Sequence, residues 1–334
     1  MIAYDEIRDV HLEIATLCNA ACPWCPRNFW GYPYNGGYPE LWLSLDQTKK
    51  IFQPSFIQQL TSVRINGNFG DIVMNPQGVD IIEYLRQNNS NMKITVSTNG
   101  SARDSEFWRR LACCRAEVLF ALDGLADTHS LYRQNTIWSV VVRNAKTFID
   151  AGGRAVWKMI RFKHNHHQIE ACRKMSMELG FAGFSLLDEG RDSAPVFDQN
   201  GKLRHVMGNY DGETRFEVLF YKKKHDTVML EDIITGRQPK SALTCETKRL
   251  KSIYVAANGD VSPCCFTGFY PNSYGHGQYH QAANAQLAPL IHKNNAIHYP
   301  ISECIKWFEE IEQRWKVRDY ADGRLVICDD NCGS

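Results

Sequence analysis

Three cysteines near one end of the chain, Cys18, Cys22 and Cys25, lie close enough in sequence to grip a single object. On a helix their i, i+4, i+7 spacing would form one stripe. Pro23 argues against a helix, because it removes a backbone donor and clashes with the preceding turn. Cys18-Asn19-Ala20-Ala21-Cys22-Pro23-Trp24-Cys25-Pro26-Arg27 therefore reads as a loop wrapping three thiolates around a metal group. Structural zinc wants four ligands, and no fourth Cys or His lies in this loop. An iron–sulfur cluster tolerates three thiolates when one iron is left for an outside ligand. Zinc and plain buried thiols are the competing readings.

A second set of cysteines follows residue 240. Cys245 precedes Ser252–Ala256, an Asn258-Gly259 turn and Asp260–Pro263, which together read as a β-hairpin. Cys264 and Cys265 come directly after it, and Cys328 and Cys332 lie at the far end of the sequence. A terminal segment normally frays, so two cysteines there suggest metal ligation that ties it down. Cys304 sits in Ile301-x2-Cys304-Ile305-x2-Phe308-x2-Ile311-x3-Trp315, an apolar stripe at helical spacing, and reads as a core thiol rather than a ligand. Cys265 is read as a packed cysteine, with a substitute ligand or redox-active thiol as alternatives. Cys113, Cys114 and Cys172 fall in helical stretches and are expected in the core.

The elements that must position these groups alternate. Strand candidates are Val10–Leu17, Ser62–Asn66, Lys93–Thr98, Glu117–Asp123, Ala155–Phe162 and Phe184–Leu187, several of them near-continuous apolar runs of the kind found in parallel sheets. Between them lie helix signals. Ser44 with Gln47 forms a capping box. Asn75-Pro76 precedes a Val79–Arg86 helix. Gly152-Gly153 closes a helix beginning near Thr136, and Gly180 closes one starting after Asn165. Six β/α units in succession predict a parallel barrel or open sheet that binds ligands at the carboxyl ends of its strands. Those ends carry the cysteine loop, Gly67-Asn68-Phe69-Gly70-Asp71, Thr98-Asn99-Gly100, Asp123-Gly124, Lys163-His164-Asn165 and Asp188-Glu189-Gly190-Arg191-Asp192.

Composition bounds the possibilities. With 334 residues, 44% hydrophobic and 22% charged, the chain has the make-up of a globular enzyme of about two domains. Its +1 net charge gives no support for a nucleic-acid partner, and Lys222-Lys223-Lys224 reads as a solvated face. No apolar run is long enough to span a membrane, and no signal-peptide pattern precedes the first strand. Twelve cysteines without an export signal point to a reducing, cytoplasmic setting.

Cys18-x3-Cys22-x2-Cys25 at the end of the first strand, with Trp24 before the last cysteine, resembles the radical SAM superfamily over roughly residues 8–190. The resemblance implies a partial (β/α)6 TIM-type barrel with a [4Fe–4S] cluster on these cysteines. Its fourth iron would be chelated by S-adenosylmethionine, which reduction cleaves to a hydrogen-abstracting 5′-deoxyadenosyl radical. Gly67, Asn68, Gly70 and Asp71 resemble the second-strand motif that meets the cofactor's amino group, with Asp71 and Ile72 where Glu-Pro is usual. Ser97, Thr98 and Asn99 resemble the ribose contacts, Arg133 would pair with the cofactor carboxylate, and Trp24 would pack beside the adenine. The later cysteines resemble the SPASM/twitch auxiliary domains. They are too few for the full SPASM pattern, so the shorter twitch form is implied: a small α+β domain with a second [4Fe–4S] cluster on Cys245, Cys264, Cys328 and Cys332.

The expected division is a barrel at 1–195, a linker bordering the substrate cavity at 196–240 and an auxiliary domain at 241–334. The expected activity is hydrogen abstraction from an unactivated C–H bond in a peptide, an amino-acid side chain or a small polar metabolite, with net oxidation. An external one-electron reductant such as flavodoxin or ferredoxin would supply the electron. With the cysteine loop this early, no separate leader-peptide-binding domain is expected ahead of the barrel. Asp188, Glu189, Asp192 and Cys265 are the candidates for a general base, and none is named as catalytic. A non-catalytic iron–sulfur carrier or a zinc-stabilised binding protein is the alternative from a different class.

Overall fold

The structure is a computed structural model and describes residues 2–33, 39–188, 194–207, 229–240, 242–270 and 282–333. Lys222–Lys224 and the candidates Glu189 and Asp192 lie outside the described residues.

Eight strands form the main sheet: β1 Asp9–Leu12, β2 Ser62–Ile65, β3 Lys93–Thr98, β4 Glu117–Ala121, β5 Arg154–Ile160, β6 Gly183–Leu187, β7 Ser252–Val255 and β8 Val261–Ser262. Their order is β8-β7-β1-β2-β3-β4-β5-β6. The first six are parallel in simple succession, each crossover carrying helix, as in a partial (β/α)6 barrel. The predicted hairpin forms, and its first strand β7 docks parallel against β1, so the C-terminal part extends the barrel sheet. The Asp9 carboxylate fastens that seam, accepting from Ser62 Oγ at 2.5 Å, Ser252 Oγ at 2.7 Å and Arg64 Nη2 at 2.6 Å.

β1 ends at Leu12, short of the predicted Leu17. Beyond it the backbone changes partners: Glu13 N–H donates to Val255 O, whereas Leu43 N–H donates to Ile14 O and Thr16 N–H to Leu41 O. This irregular stretch hands the chain from the sheet to the cysteine loop.

The helices follow their signals with local shifts. Ser44 and Gln47 make both bonds of the capping box on Leu45–Ile51. The helix predicted at Val79 runs Gly78–Asn88. Asn75 is instead a buried anchor, its Oδ1 accepting from Gln77 N at 2.8 Å while its Nδ2 donates to Ile14 O and Leu43 O. Trp138–Asp150 and Ile169–Glu178 stop just before Gly152 and Gly180. The Ile301–Trp315 stripe is broken into Ile301–Cys304 and Phe308–Arg314. Consecutive Trp307 and Phe308, at and just after the break, are both fully buried.

One apolar core runs from Val10, Leu12 and Val96 through Phe120 and Trp157 to Ile253, Val255, Trp307 and Phe308 of the later segments. Cys114, Cys172 and Cys304 are buried, as expected. Cys113 is not: it is exposed at the end of Ser105–Cys113, whose inward face is Trp108, Leu111 and Ala112. Among the described residues no helix is long and apolar enough to cross a membrane.

Candidate active site

The carboxyl ends of β1 to β5 enclose a cavity of about 360 Å3. Its wall contains Cys18, Cys22, Trp24 and Cys25 from the first loop, Gly67, Asn68, Gly70 and Asp71 from the second, and Ser97, Thr98 and Asn99 from the third. Arg133 completes it, so every cofactor-site residue singled out in this part of the sequence lines one space. The volume lies in the range of small-molecule sites.

The cysteine loop is held by tight turns. Cys25 N–H donates to Cys22 O at 2.9 Å, Asn28 N–H to Cys25 O at 3.0 Å and Arg27 Nη1 to Cys18 O at 2.8 Å. Below it lie Tyr132, Ile160, Phe162, Val196 and Met207. Burial pushes the Cys25 thiol up to about 11, and the neighbouring Cys22 adds to this; Cys18 and Cys22 are also raised, chiefly by burial. Three thiolates at this place require a positive group among them. Among the described residues no three Cys, His, Asp or Glu side chains converge closely enough to hold a single ion. Three cysteine sulfurs without a fourth Cys or His in the loop suit an iron–sulfur cluster that leaves one iron for an outside ligand.

Two donors address the sulfurs from outside the loop. Asn99 Nδ2 donates to Cys18 Sγ and Arg133 Nη1 to Cys22 Sγ, both at 3.5 Å. Arg133 is aimed by Asp123, whose Oδ2 accepts from Arg133 Nε at 2.6 Å and whose Oδ1 accepts from Ile160 N at 2.6 Å. The Asp123 side chain is 0% exposed and that of Arg133 16%.

The 67–71 loop is shaped by crowding. A Cβ on Gly70 would lie 1.8 Å from Ala15 O, and one on Gly67 would lie 2.5 Å from Gly70 O. Asp71 lines the cavity, yet its carboxylate is engaged by the protein: Oδ1 accepts from Val73 N and Thr98 Oγ1, and Oδ2 from Asn99 N at 2.7 Å. It thus fixes the end of β3, and burial raises its pKa.

Members of the second thiol set lie near one another. Cys245 lies within hydrogen-bonding reach of Cys332, and both interact electrostatically with Cys264; Cys328 interacts with Cys264 and Cys245. Thr244 N–H donates to Cys332 O at 2.9 Å, and a bridge joins Leu243 to Gly333. The C-terminal helix Val326–Cys332 is anchored by buried Asp329, which accepts from Arg324, from Tyr320 Oη at 2.9 Å and from Lys240 N at 3.1 Å. Burial drives the Cys265 thiol up to about 12, and its carbonyl accepts from Asn68 Nδ2 at 2.7 Å. Cys304 is packed in the core, its thiol near Tyr299 O.

Several wall residues escaped the sequence reading. Lys158 and Ile160 enter from alternate positions of β5, and the strand's period of two would have put them on the barrel face. Tyr132 neighbours Arg133, whereas Phe269 comes from the C-terminal part with no local signal at all.

No protein-family model matches the chain. A GTP 3',8-cyclase of Pectobacterium atrosepticum is 33% identical over 102 residues, 30% of this chain and 30% of that protein. Another, of Cronobacter sakazakii, is 26% identical over 191 residues, 55% of this chain and 56% of that protein. The chain thus spans about half or less of these curated relatives. Among solved structures, anSMEcpe with bound AdoMet and Cp18Cys peptide superposes with a TM-score of 0.53 at 17% identity, covering 97% of this chain and 89% of that one. SuiB of Streptococcus suis bound to S-adenosylmethionine gives 0.52 at 13% identity, covering 78% of this chain and 60% of that one. These likenesses to solved structures establish the fold. The three-cysteine loop at the end of β1 and the partial match to the curated relatives make the chain similar to radical SAM enzymes over that part of its length.

Proposed function

We propose that the chain binds a [4Fe–4S] cluster on Cys18, Cys22 and Cys25 and S-adenosylmethionine in the adjoining cavity, and that it oxidatively modifies a peptide, an amino-acid side chain or a small polar metabolite. The observation that carries this reading is the convergence of four separate strand-end loops on one cavity of about 360 Å3. A non-catalytic carrier needs no such space. Held by Cys18, Cys22 and Cys25, a cluster reduced from outside would supply the electron for cleaving the cofactor, and with it the means to abstract a substrate hydrogen.

The protein's own part is placement. Gly67 to Gly70 let the backbone approach the cofactor's amino group, while Asp71 acts from behind by fixing Thr98 and Asn99. Ser97 and Asn99 line the cavity where they would meet the ribose, and Trp24 would pack beside the adenine. Arg133, oriented by Asp123, offers its guanidinium to the cofactor carboxylate. The donors on Cys18 and Cys22 hold sulfur charge in place.

Cys245, Cys264, Cys328 and Cys332 would hold a second [4Fe–4S] cluster, an electron sink that favours net oxidation. The division at 195 and 240 and the need for a flavodoxin- or ferredoxin-like reductant belong to the same proposal. A peptide substrate draws support from the fold neighbours, one of which, SuiB, was also solved with its precursor peptide SuiA.

The test is iron, sulfide and zinc per chain in anaerobically purified protein, followed by 5′-deoxyadenosine formation under dithionite. About eight irons and eight sulfides support two clusters. Zinc in place of iron after reconstitution, or 5′-deoxyadenosine that persists when Cys18, Cys22 and Cys25 are all alanine, would overturn the reading.

A further inference from the structure

The 67–71 loop is gripped from behind by the C-terminal part of the chain. Glu13, at the end of β1, is 1% exposed. Its Oε1 accepts from Phe69 N at 2.8 Å and from Gly70 N at 3.0 Å, and its Oε2 accepts from Tyr254 Oη of β7 at 2.5 Å. Asn68 Nδ2 donates to the carbonyl of Cys265, next to Cys264 of the second thiol set. The rings of Phe69 and Phe269 meet edge to face at 5.4 Å. Three consecutive loop residues are thus each tied, directly or through Glu13, to residues beyond 250.

We propose that Glu13 and Tyr254 are positioning residues that couple the C-terminal hairpin to the cofactor-binding loop, so that the loop keeps its binding shape only while that hairpin is docked. The coupling to cofactor affinity rests on the function proposed above; the coupling to loop shape does not. Glutamine at position 13 can make the same contacts, its Oε1 taking both amides and its Nε2 donating to Tyr254 Oη. Alanine makes none. Phenylalanine at 254 keeps the ring but leaves Glu13 Oε2 buried without its donor.

The experiment compares wild type, Tyr254→Phe, Glu13→Gln and Glu13→Ala as full chains. It reads amide hydrogen exchange at Phe69 and Gly70 without cofactor, then S-adenosylmethionine affinity by equilibrium dialysis after cluster reconstitution. Losing the Tyr254 bond should speed exchange at both amides by about tenfold and weaken cofactor binding by about fivefold or more, with Ile94 and Val96 of β3 unchanged. Glu13→Gln should stay near wild type. Unaltered exchange in Tyr254→Phe, or a glutamine variant as loose as the alanine one, overturns the coupling. Should Glu13→Ala not fold, Tyr254→Phe decides alone. Loss of protection with no cofactor binding even in wild type would uphold the coupling and sink the function.

Discussion

Replacing Asp123 by asparagine tests whether Arg133 is held by charge or merely by packing. The asparagine carbonyl can still accept from Ile160 N, so that bond survives. Its amide would face Arg133 Nε as donor against donor, leaving a guanidinium only 16% exposed without its partner. Breaking one side of such a buried pair costs about 3–5 kcal/mol. With an unfolding entropy of about 2.1 cal/mol/K per residue, a chain of this length would lose about 6 °C in Tm. The Asp123→Asn, Arg133→Met double variant removes both charges and should recover at least about 2 kcal/mol relative to the sum of the single variants. Calorimetry and urea titration of all four proteins measure the coupling. An Asp123→Asn Tm within about 1 °C of wild type, or singles that simply add, would refute the idea that this ion pair aims Arg133 at the cysteine loop.

Other expectations follow from particular side chains. His129 is 0% exposed, takes a hydrogen bond from Asp123 N at Nδ1 and faces Thr136 Oγ1 at 2.9 Å, while burial lowers its pKa from 6.5 to about 4. The unfolded chain then binds the extra proton, so stability should fall as pH drops from 6.5 towards 4 by up to about 3 kcal/mol; His129→Gln should flatten that slope in urea titrations at stepped pH. Exposed Cys113 should be alkylated by iodoacetamide in the native protein while Cys114, Cys172 and Cys304 stay protected, as mass spectrometry of the digest would read; protection of Cys113 would contradict its placement. Replacing Cys328 and Cys332 by alanine should loosen the Val326–Cys332 helix and stop product while leaving 5′-deoxyadenosine formation partly intact, and loss of both would assign that thiol set a structural role.

The six parallel strands and the loops at their ends were readable because each signal is local: apolar runs, a capping box, a proline among cysteines. The hairpin at Asn258-Gly259 was readable for the same reason. Its docking onto β1 was not, because parallel pairing between residues 9 and 252 leaves no pattern in either segment. Glu13 falls within the predicted Val10–Leu17 strand with nothing local to mark it; its role depends on two backbone N–H groups and a tyrosine hydroxyl brought from elsewhere. Cys113 and Cys114 show the limit of helical patterning, since one residue is a rotation of about 100° and separates solvent from core. Asp71 was read as a wall carboxylate facing a ligand, but Thr98 and Asn99, adjacent only after β2 pairs with β3, engage both of its oxygens.

The late arrival of β7 has a consequence for how the chain is made. Asp9 and Ser252, which bond across the seam, are 243 residues apart. At about 5–20 residues per second, β1 leaves the ribosome about 10–50 s before its neighbour on that side exists. Throughout that interval a nascent barrel presents β1 as an open edge, a template for pairing with other chains. Asp9 and His11 on that strand, with Glu13 just beyond it, put ionisable groups along the waiting edge, the kind of side chain that discourages such pairing. The residues that later lock the C-terminal hairpin into place are thus also placed to guard the growing chain before it arrives.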